Sequence, residues 1–308
     1  MPGAFAHITL VNELRETKRL EAISSKHLQA VPAILKYFKF TELGAVSPDY
    51  PYLAVADRDS AEWADLMHYT RTGEMIHKGI ELLKVKEGVT REKGLAWLLG
   101  YTAHVVTDVT IHPVVELKVG PYAENKKHHR ICEMNQDAYI FRRLNLGGVG
   151  ISEHFESGIW ACCEKGKDLL DKDIFQFWNE MLEGVHPQNY NQKRPNVHKW
   201  HQSFNFNVNR IAEEGYRLLP LARHVAVDCG LTYPNYEEID FQYIHQLSVP
   251  GGVMDYDEIF DRAINNVGSI WSLVINSVFS ETQEYKTRIR NWNLDTGRDL
   301  NNQLAFWG

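Results

Sequence analysis

The sequence predicts an all-α protein, a compact multi-helix domain built around one buried central helix. Apolar residues at helical spacing fill most of the 308 residues, whereas the alternating pattern of half-buried strands is scarce. With 44% hydrophobic and 24% charged residues, the composition is ordinary for a soluble globular protein. A chain of this length can bury a large core. We therefore expect residues 1–308 to form a single helical domain.

Glycines, prolines and polar caps divide the chain into helices. Gly44, Pro48 and Pro51 predict an irregular loop from Thr41 to Ala56, and Asp49 lies within it. A second loop is expected over 186–200. The predicted helices cover approximately 8–22, 26–39, 60–68, 73–84, 90–112, 122–144, 152–167, 172–183, 204–227 and 255–282, with Ser60 and Thr90 as N-caps and Gly147-Gly148 closing the sixth.

The helix that begins near Thr90 is the predicted centre of the fold. Its apolar residues lie on nearly all sides, which is typical of a helix inside the core: Leu95, Leu98, Leu99, Val105, Val106 and Val109. Pro113 is expected to end it, because the residue before a proline is displaced from the α region. His112 is therefore predicted to be its terminal residue.

This buried helix carries His104, Asp108 and His112 at successive intervals of four. Residues four apart on a helix are neighbours on one face, about 5–6 Å apart at Cβ. Chance gives about two histidines with an acid at i+4 in a chain of this composition. The sequence has five, so the spacing alone is a weak argument: His77/Glu81, His104/Asp108, His112/Glu116, His129/Glu133 and His224/Asp228.

Candidate ligands also lie outside the central helix, at His7, Asp49 and the pair His129/Glu133. Buried imidazoles and carboxylates are costly unless they are paired or bound to metal. Nitrogen and carboxylate ligands without thiolates suit zinc, with manganese or iron as lesser options. The sequence therefore predicts a metal cluster in a central cleft.

Two positions have competing histidines. On a continuous helix His68 and His77 are about half a turn out of phase, so one of them faces the cleft. We prefer His68, which follows the loop sooner. His129 competes with His128, and of the two only His129 has an acid at i+4, Glu133.

The ordered set resembles the zinc-dependent phospholipase C family, which shares its fold with fungal zinc-dependent single-strand nucleases. It reads His7, Pro48-Asp49, a histidine on the next helix, His104-x-x-x-Asp108-x-x-x-His112 and His129-x-x-x-Glu133. Gly44-Ala-Val-Ser-Pro-Asp49 resembles the family's loop ahead of its first metal. The short Asp108–His112 spacing is similar to the branch related to glycosylphosphatidylinositol phospholipase D. The resemblance is clearest over residues 1–170, and it leaves the role of 190–308 open.

The resemblance implies one helical catalytic domain with two to three Zn²⁺ ions. It implies a first zinc on Asp49, His68, His104 and Asp108, and a second on His112, His129 and Glu133. A third would take His7, Asp108 and the N-terminal amine and carbonyl, with Met1 or Pro2 as the donor of the amine. Asp108 would bridge two ions, and Asp49 would also orient or deprotonate the attacking water. His224/Asp228 lies outside this pattern, and we interpret it as structural.

The implied activity is metal-dependent hydrolysis of phosphodiester bonds, with phospholipid as substrate and transient contact with a membrane surface. One alternative is a nuclease or other phosphodiesterase on the same site. Another is a helical binding module whose His/acid pairs are structural. A net charge of −7 without a basic stripe gives no strong sign of nucleic-acid binding. The sequence indicates no oligomeric state.

Composition also bears on the compartment. No run approaches 18 apolar residues, so no transmembrane helix is expected. The N-terminal residues lack the basic and apolar regions of a secretory signal. Cys132, Cys162, Cys163 and Cys229 show no C-x-x-C spacing. We expect a cytoplasmic protein with reduced thiols, with export by another route or a removed signal as the alternative.

Overall fold

A computed structural model describes residues 3–54, 58–146, 158–204 and 232–308. The all-α prediction is confirmed. The helices are α1 (Ala4–Leu14), α2 (Thr17–Ile23), α3 (Ala30–Lys36), α4 (Phe38–Val46), α5 (Tyr50–Leu53), α6 (Arg58–Tyr69), α7 (Thr72–Val85), α8 (Gly88–Val119), α9 (Tyr122–Phe141), α10 (Lys172–Val185), α11 (Pro187–Gln192), α12 (Tyr256–Phe279) and α13 (Tyr285–Arg288). Residues 197–204 are also helical.

The remaining regular structure of the described residues is short. Two antiparallel hairpins pair β1 (Leu247–Val249) with β2 (Gly252–Met254) and β3 (Trp292–Asn293) with β4 (Arg298–Asp299). Short 3₁₀ turns lie at Ser47–Asp49, Arg142–Leu144, Ile159–Cys162, Tyr236–Glu238 and Phe241–Tyr243. None of the described helices is long and apolar enough to cross a membrane.

Helix α8 is the axis of the fold. Every residue from Gly94 to Val115 is buried, and α1, α3, α4, α7, α9, α10 and α12 all pack against it. A helix surrounded in this way must be apolar on all sides, which explains its sequence. The polar residues on α8 are therefore held inside the protein, away from water.

Helices α4 and α8 cross at unusually close range because two glycines meet there. A Cβ on Gly44 would lie 2.1 Å from the Trp97 carbonyl oxygen, and a Cβ on Gly100 would lie 2.0 Å from the Thr41 carbonyl oxygen. Only glycine permits this approach. The close crossing brings the Ala45 carbonyl within 2.9 Å of Nδ1 of His104, so it contributes directly to the position of that imidazole.

The prediction that Pro113 ends the central helix is wrong, because α8 continues to Val119. A proline inside a helix removes one donor and costs about 3 kcal/mol. Here the C-terminal segment covers the affected turn: Gly297 packs against the Val109 carbonyl and the Pro113 ring. The Trp307 indole also donates to the Thr110 carbonyl at 2.7 Å. Tertiary contacts thus offset a local preference.

The contact at Gly297 gives a prediction. Gly297 has φ +66, and a Cβ there would lie 2.5 Å from both Val109 O and Pro113 Cγ. We expect Gly297→Ala to lower the free energy of unfolding by about 2–5 kcal/mol, from the left-handed backbone and the steric overlap together. Urea denaturation measures this quantity.

Gly166→Ala is the matched control. Gly166 has φ +75, and a Cβ there would meet nothing within 4 Å. This substitution should cost only the backbone part, about 1–2 kcal/mol. Equal losses in the two variants would contradict the packing argument.

The predicted loop from Thr41 to Ala56 is also wrong over most of its described length. Helix α4 extends to Val46, a 3₁₀ turn covers Ser47–Asp49, and α5 follows. Pro48 and Pro51 each occupy a first-turn position, where the missing N–H has no intrahelical acceptor. Prolines that suggested a loop therefore begin new helical turns.

Two predicted caps have other roles. Helix α6 begins at Arg58, and the Ser60 hydroxyl accepts a hydrogen bond from the Trp200 indole at 2.8 Å. Helix α8 begins at Gly88, and Thr90 donates to Asp173 at 3.0 Å. In both cases the hydroxyl forms a hydrogen bond with a residue distant in sequence instead of capping a helix.

Other predicted boundaries differ in part. The helix predicted over 8–22 is two helices, α1 and α2, and the loop predicted over 186–200 contains α11 and the start of the helical residues 197–204. The described part of 152–167 has a 3₁₀ turn at Ile159–Cys162 instead of a helix. Gly147-Gly148 and the predicted residues 205–227 lie outside the described residues.

Candidate metal centre

Five polar side chains from four elements converge beside the middle of α8. They are His7 on α1, Asp49 on the 3₁₀ turn, His68 on α6, and His104 and Asp108 on α8. Two sets of three each have ligand atoms within 4.8 Å of one another: His7, His104 and Asp108, and Asp49, His68 and His104. All are buried except Asp49, whose side chain is 16% exposed. The carboxylate of Asp49 therefore reaches both the cluster and solvent.

His104 is at the centre of this cluster. Its Nε2 atom lies 3.4 Å from Asp108 Oδ2, 3.4 Å from His68 Nε2 and 3.8 Å from Asp49 Oδ1. Asp49 Oδ1 is in turn 3.3 Å from His68 Nε2. Three ligand atoms from three separate elements thus surround one imidazole nitrogen.

Asp108 extends the cluster toward the N-terminal helix. Its Oδ1 atom lies 3.2 Å from Nε2 of His7, while its Oδ2 atom faces His104. The rings of His7 and His104 stack with their centroids 4.2 Å apart. The two oxygens of one carboxylate therefore face two different histidines, as a bridging ligand requires.

A second group lies further along α8. Oε1 of Glu133 is 3.8 Å from Nε2 of His112 and 3.9 Å from Nδ1 of His129. All three residues are buried. His112 is one turn from Asp108 on α8, so the second group adjoins the first.

Four of the five histidines are held by backbone carbonyl groups. A carbonyl oxygen only accepts, so the ring nitrogen beside it carries the proton and the opposite nitrogen keeps its lone pair. In every case the lone pair is on the nitrogen that faces the clustered carboxylates. The pairs are His68 Nδ1 with Ala64 at 2.7 Å, His104 Nδ1 with Ala45 at 2.9 Å, His112 Nδ1 with Leu294 at 2.5 Å, and His129 Nε2 with Gly120 at 2.6 Å.

This arrangement fits a cation. The lone pairs on Nε2 of His68 and His104 face each other at 3.4 Å, which is unfavourable with nothing positive between them. Several buried atoms of the cluster have no hydrogen-bond partner: His7 Nδ1 and Nε2, Asp49 Oδ1, Asp108 Oδ1 and Oδ2, and His112 Nε2. Orphaned buried polar atoms are rare because they are costly. Imidazole and carboxylate ligands are those of zinc.

The charge states suit ligation. Burial on its own would raise the pKa of Asp108, but positive charge at His104 and its neighbours, which a cation bound there would supply, outweighs burial and holds that pKa well below its usual range. Burial likewise opposes ionisation of Asp49, and His104 and His68 reverse the effect and lower its pKa. Burial lowers the pKa of His112 well below its ordinary value. Asp108 and Asp49 are therefore ionised and His112 is neutral.

Helix α1 is held in place by a carboxyl group that sequence reasoning missed. Asp137 on α9 accepts the backbone N–H groups of Phe5 at 3.2 Å and Ala6 at 3.0 Å. Burial raises the pKa of Asp137 to about 8. This contact fixes the first turn of the helix that carries His7. An isolated aspartate gives no sequence signal for this role.

The structure brings all eight sequence-predicted site residues into the two adjoining groups. It places His77 elsewhere, with Nε2 2.8 Å from the Ile289 carbonyl, and His128 at the surface. His224, Asp228, Met1 and Pro2 lie outside the described residues. Sequence reasoning missed the four orienting carbonyl groups, because a backbone atom is present at every position and gives no signal.

Tyrosines and acids lie next to the cluster. The Tyr52 ring is 5.4 Å from that of His68, and the Tyr122 ring meets the edge of His129 at 5.3 Å. Tyr52 donates to Asp65 at 2.8 Å, and the partly exposed Tyr69 donates to Asp295 at 2.9 Å. Burial raises the pKa of Asp295. Aromatic and acidic side chains therefore border the site.

Comparison with known proteins places this chain in a family. The sequence profile of the family described as zinc dependent phospholipase C matches residues 6–187. Neither the curated proteins nor the solved structures give a match. The matched region covers more than half of the chain and contains all eight clustered residues, together with three of the four carbonyls that orient the histidines. The chain therefore belongs to the zinc-dependent phospholipase C family.

Proposed function

We propose that this protein is a zinc-dependent hydrolase that cleaves the phosphodiester bond of phospholipids. The observation that supports it most strongly is the orientation of the histidines. Four imidazoles donate one N–H each to a backbone carbonyl and direct the other nitrogen at clustered carboxylates. A structural His/acid pair needs no such arrangement, because the imidazole can donate its N–H directly to the carboxylate and so satisfy both groups. We therefore disfavour the purely structural binding module.

Bound zinc would supply a Lewis acid that acidifies water and neutralises the phosphate. We assign the two to three ions to the eight clustered residues, with Asp108 shared between positions because its oxygens face His7 and His104. Backbone carbonyls set the tautomers of four of the histidines, so these four imidazoles need no reorganisation to bind.

Asp49 is the residue we assign to proton transfer. It is the cluster carboxylate in the first group that reaches solvent, and its Oδ1 atom has no hydrogen-bond partner. In the proposed step a water oxygen bonds to phosphorus, the bond from phosphorus to the glycerol oxygen breaks, and Asp49 accepts the water proton. The departing alkoxide takes its proton from solvent.

The surroundings of the site favour phospholipid over a nucleic-acid strand. Among the described residues, neither Asp65 nor Asp295 has an ion pair with a basic side chain, and the whole chain has a net charge of −7. A long polyanion binds through many basic contacts along its length, and the two acids next to the cluster, Asp65 and Asp295, would oppose it. A single phosphodiester presents one charge, so repulsion is smaller.

The test compares two substrates on the same zinc-loaded protein. We expect phosphatidylcholine vesicles to release diacylglycerol and phosphocholine, with turnover that ceases on chelation and returns with zinc. Single-stranded DNA should be cleaved far more slowly. Zinc content is measured in parallel by inductively coupled plasma mass spectrometry on protein purified without chelators.

The possible outcomes separate the alternatives. Faster cleavage of DNA than of vesicles would assign the site to a nuclease. If the protein binds stoichiometric zinc and hydrolyses a bis-aryl phosphodiester but neither vesicles nor DNA, the proposed hydrolysis stands and phospholipid is rejected as the substrate. A folded protein that binds no zinc and hydrolyses neither substrate would favour the binding module.

A further inference from the structure

We propose that the turn Asn293–Gly297 is an outer part of the metal centre that positions His112 for coordination. The proposal rests on the metal centre of the proposed function. This turn lies beyond residues 6–187, the region that the family profile matches. The proposal gives a role to a segment of the C-terminal part, for which the sequence predicted helices but no function.

The turn is closed by its own hydrogen bonds. Asn293 Oδ1 accepts the backbone N–H groups of Asp295 at 3.0 Å and Thr296 at 3.1 Å. The Gly297 N–H donates to the Asn293 carbonyl at 2.9 Å. An asparagine side chain that mimics a backbone turn in this way fixes the residues between it and the glycine.

Leu294, the buried second residue of the turn, contacts two of the candidate ligands. Its N–H donates to the His68 carbonyl at 3.0 Å, and its carbonyl accepts from His112 Nδ1 at 2.5 Å. One residue therefore joins the backbone of a ligand on α6 to the imidazole of a ligand on α8. Nε2 of His112 is left facing Glu133 at 3.8 Å.

Two further contacts fix the turn on the site. Asp295 Oδ2 accepts a hydrogen bond from the hydroxyl of Tyr69 at 2.9 Å, and Tyr69 directly follows His68 in the sequence. Gly297 packs on Val109 and Pro113 of α8, and Pro113 directly follows His112. The turn thus spans α6 and α8, two of the elements that carry the cluster, and it covers the turn of α8 that contains Pro113.

His112 differs from the other carbonyl-held histidines in the source of its acceptor. The acceptors for His68, His104 and His129 are Ala64, Ala45 and Gly120, all within the region matched by the family profile. The acceptor for His112 is Leu294. The acceptor that orients the His112 ring therefore comes from the C-terminal segment, whereas the ring acceptors of the other three histidines do not.

The chain offers a matched pair of variants. Asn293→Ala removes the acceptor that closes the turn. Asn291→Ala removes a side chain two residues earlier, whose Oδ1 accepts the N–H groups of Gly73 at 3.1 Å and Glu74 at 3.3 Å on α7. Each substitution therefore removes one asparagine that accepts from two backbone N–H groups, and only the first supports His112.

We expect Asn293→Ala to lower the affinity for one zinc equivalent about 10–100-fold, the usual effect of losing an outer partner of a ligand. Asn291→Ala should change zinc affinity less than about threefold. Competition with a chromophoric chelator measures both, and the Co²⁺ spectrum reports the geometry at the altered position. Asn293→Asp retains the acceptor oxygen and should restore affinity. Equal zinc affinities in the two alanine variants would overturn the proposal.

A measurement on the unsubstituted protein covers the case in which Asn293→Ala does not fold. With ¹⁵N-labelled histidine and bound zinc, we expect a slowly exchanging ring proton on Nδ1 of His112, assigned by its absence from His112→Gln. A proton on Nε2 of His112 would overturn the proposal. If the unsubstituted protein binds no zinc at all, the proposed metal centre itself is wrong.

Discussion

Replacing Asp108 by Asn is expected to abolish phosphodiester hydrolysis. Both Asp108 oxygens face a histidine nitrogen, at 3.2 Å for His7 and 3.4 Å for His104. Asparagine removes the charge and turns one of the two atoms into a donor. We expect kcat/KM for zinc-loaded protein to fall about a thousandfold or more, equivalent to ~4 kcal/mol of transition-state stabilisation. Zinc content should fall with it.

Asp299→Asn is the control for this variant. Asp299 is also buried, and it pairs with Arg290 and accepts the backbone N–H groups of Asn301 and Gln303. Its loss should reduce stability and leave zinc content and kcat/KM within about threefold. Unchanged turnover in Asp108→Asn would reject the proposed chemistry.

Removing zinc is expected to destabilise the protein as well as inactivate it. Without a cation, the facing lone pairs of His68 and His104 and the unpartnered oxygens of Asp108 remain uncompensated inside the core. With free zinc at a thousand times its Kd, the folded state gains about 4 kcal/mol. For a chain of this size we expect chelation to lower the Tm by about 10 °C. Differential scanning calorimetry with and without chelator measures the difference.

The choice of ion distinguishes this effect from non-specific salt stabilisation. Zinc should restore the Tm of chelated protein, and Mg²⁺ should not, because Mg²⁺ prefers oxygen ligands and the cluster offers imidazoles. The difference between zinc and chelator should shrink in Asp108→Asn. An equal Tm for chelated and zinc-loaded protein would show that the cluster is stable without a metal.

Much of the fold followed from local pattern. The apolar circumference of α8 predicted a central helix, and this helix is buried from Gly94 to Val115. The errors occurred where a distant contact altered a local preference. Pro113 did not end α8, since Gly297 and Trp307 cover the affected turn. Gly44 did not mark a loop, since it is needed for the close crossing with Gly100.

The candidate site likewise followed from the sequence only in part. Spacing on one helix associated His104 with Asp108, and order along the chain linked them with His7, Asp49 and the pair His129/Glu133. Spacing did not decide between His68 and His77. The structure places His68 beside His104 and His77 against the Ile289 carbonyl. The break between α6 and α7 at Arg71, with φ 56, sets this difference.

The sequence by itself determined which residues are candidates for the chemistry, because side-chain type and helical spacing are properties of the chain alone. Only the tertiary structure decided how those side chains point. The ring nitrogen that keeps its lone pair is set by a carbonyl from another turn or another element: Ala45 across the α4–α8 crossing for His104, and Leu294 from the C-terminal turn for His112. A backbone acceptor has the same chemistry at every position, so packing alone selects it.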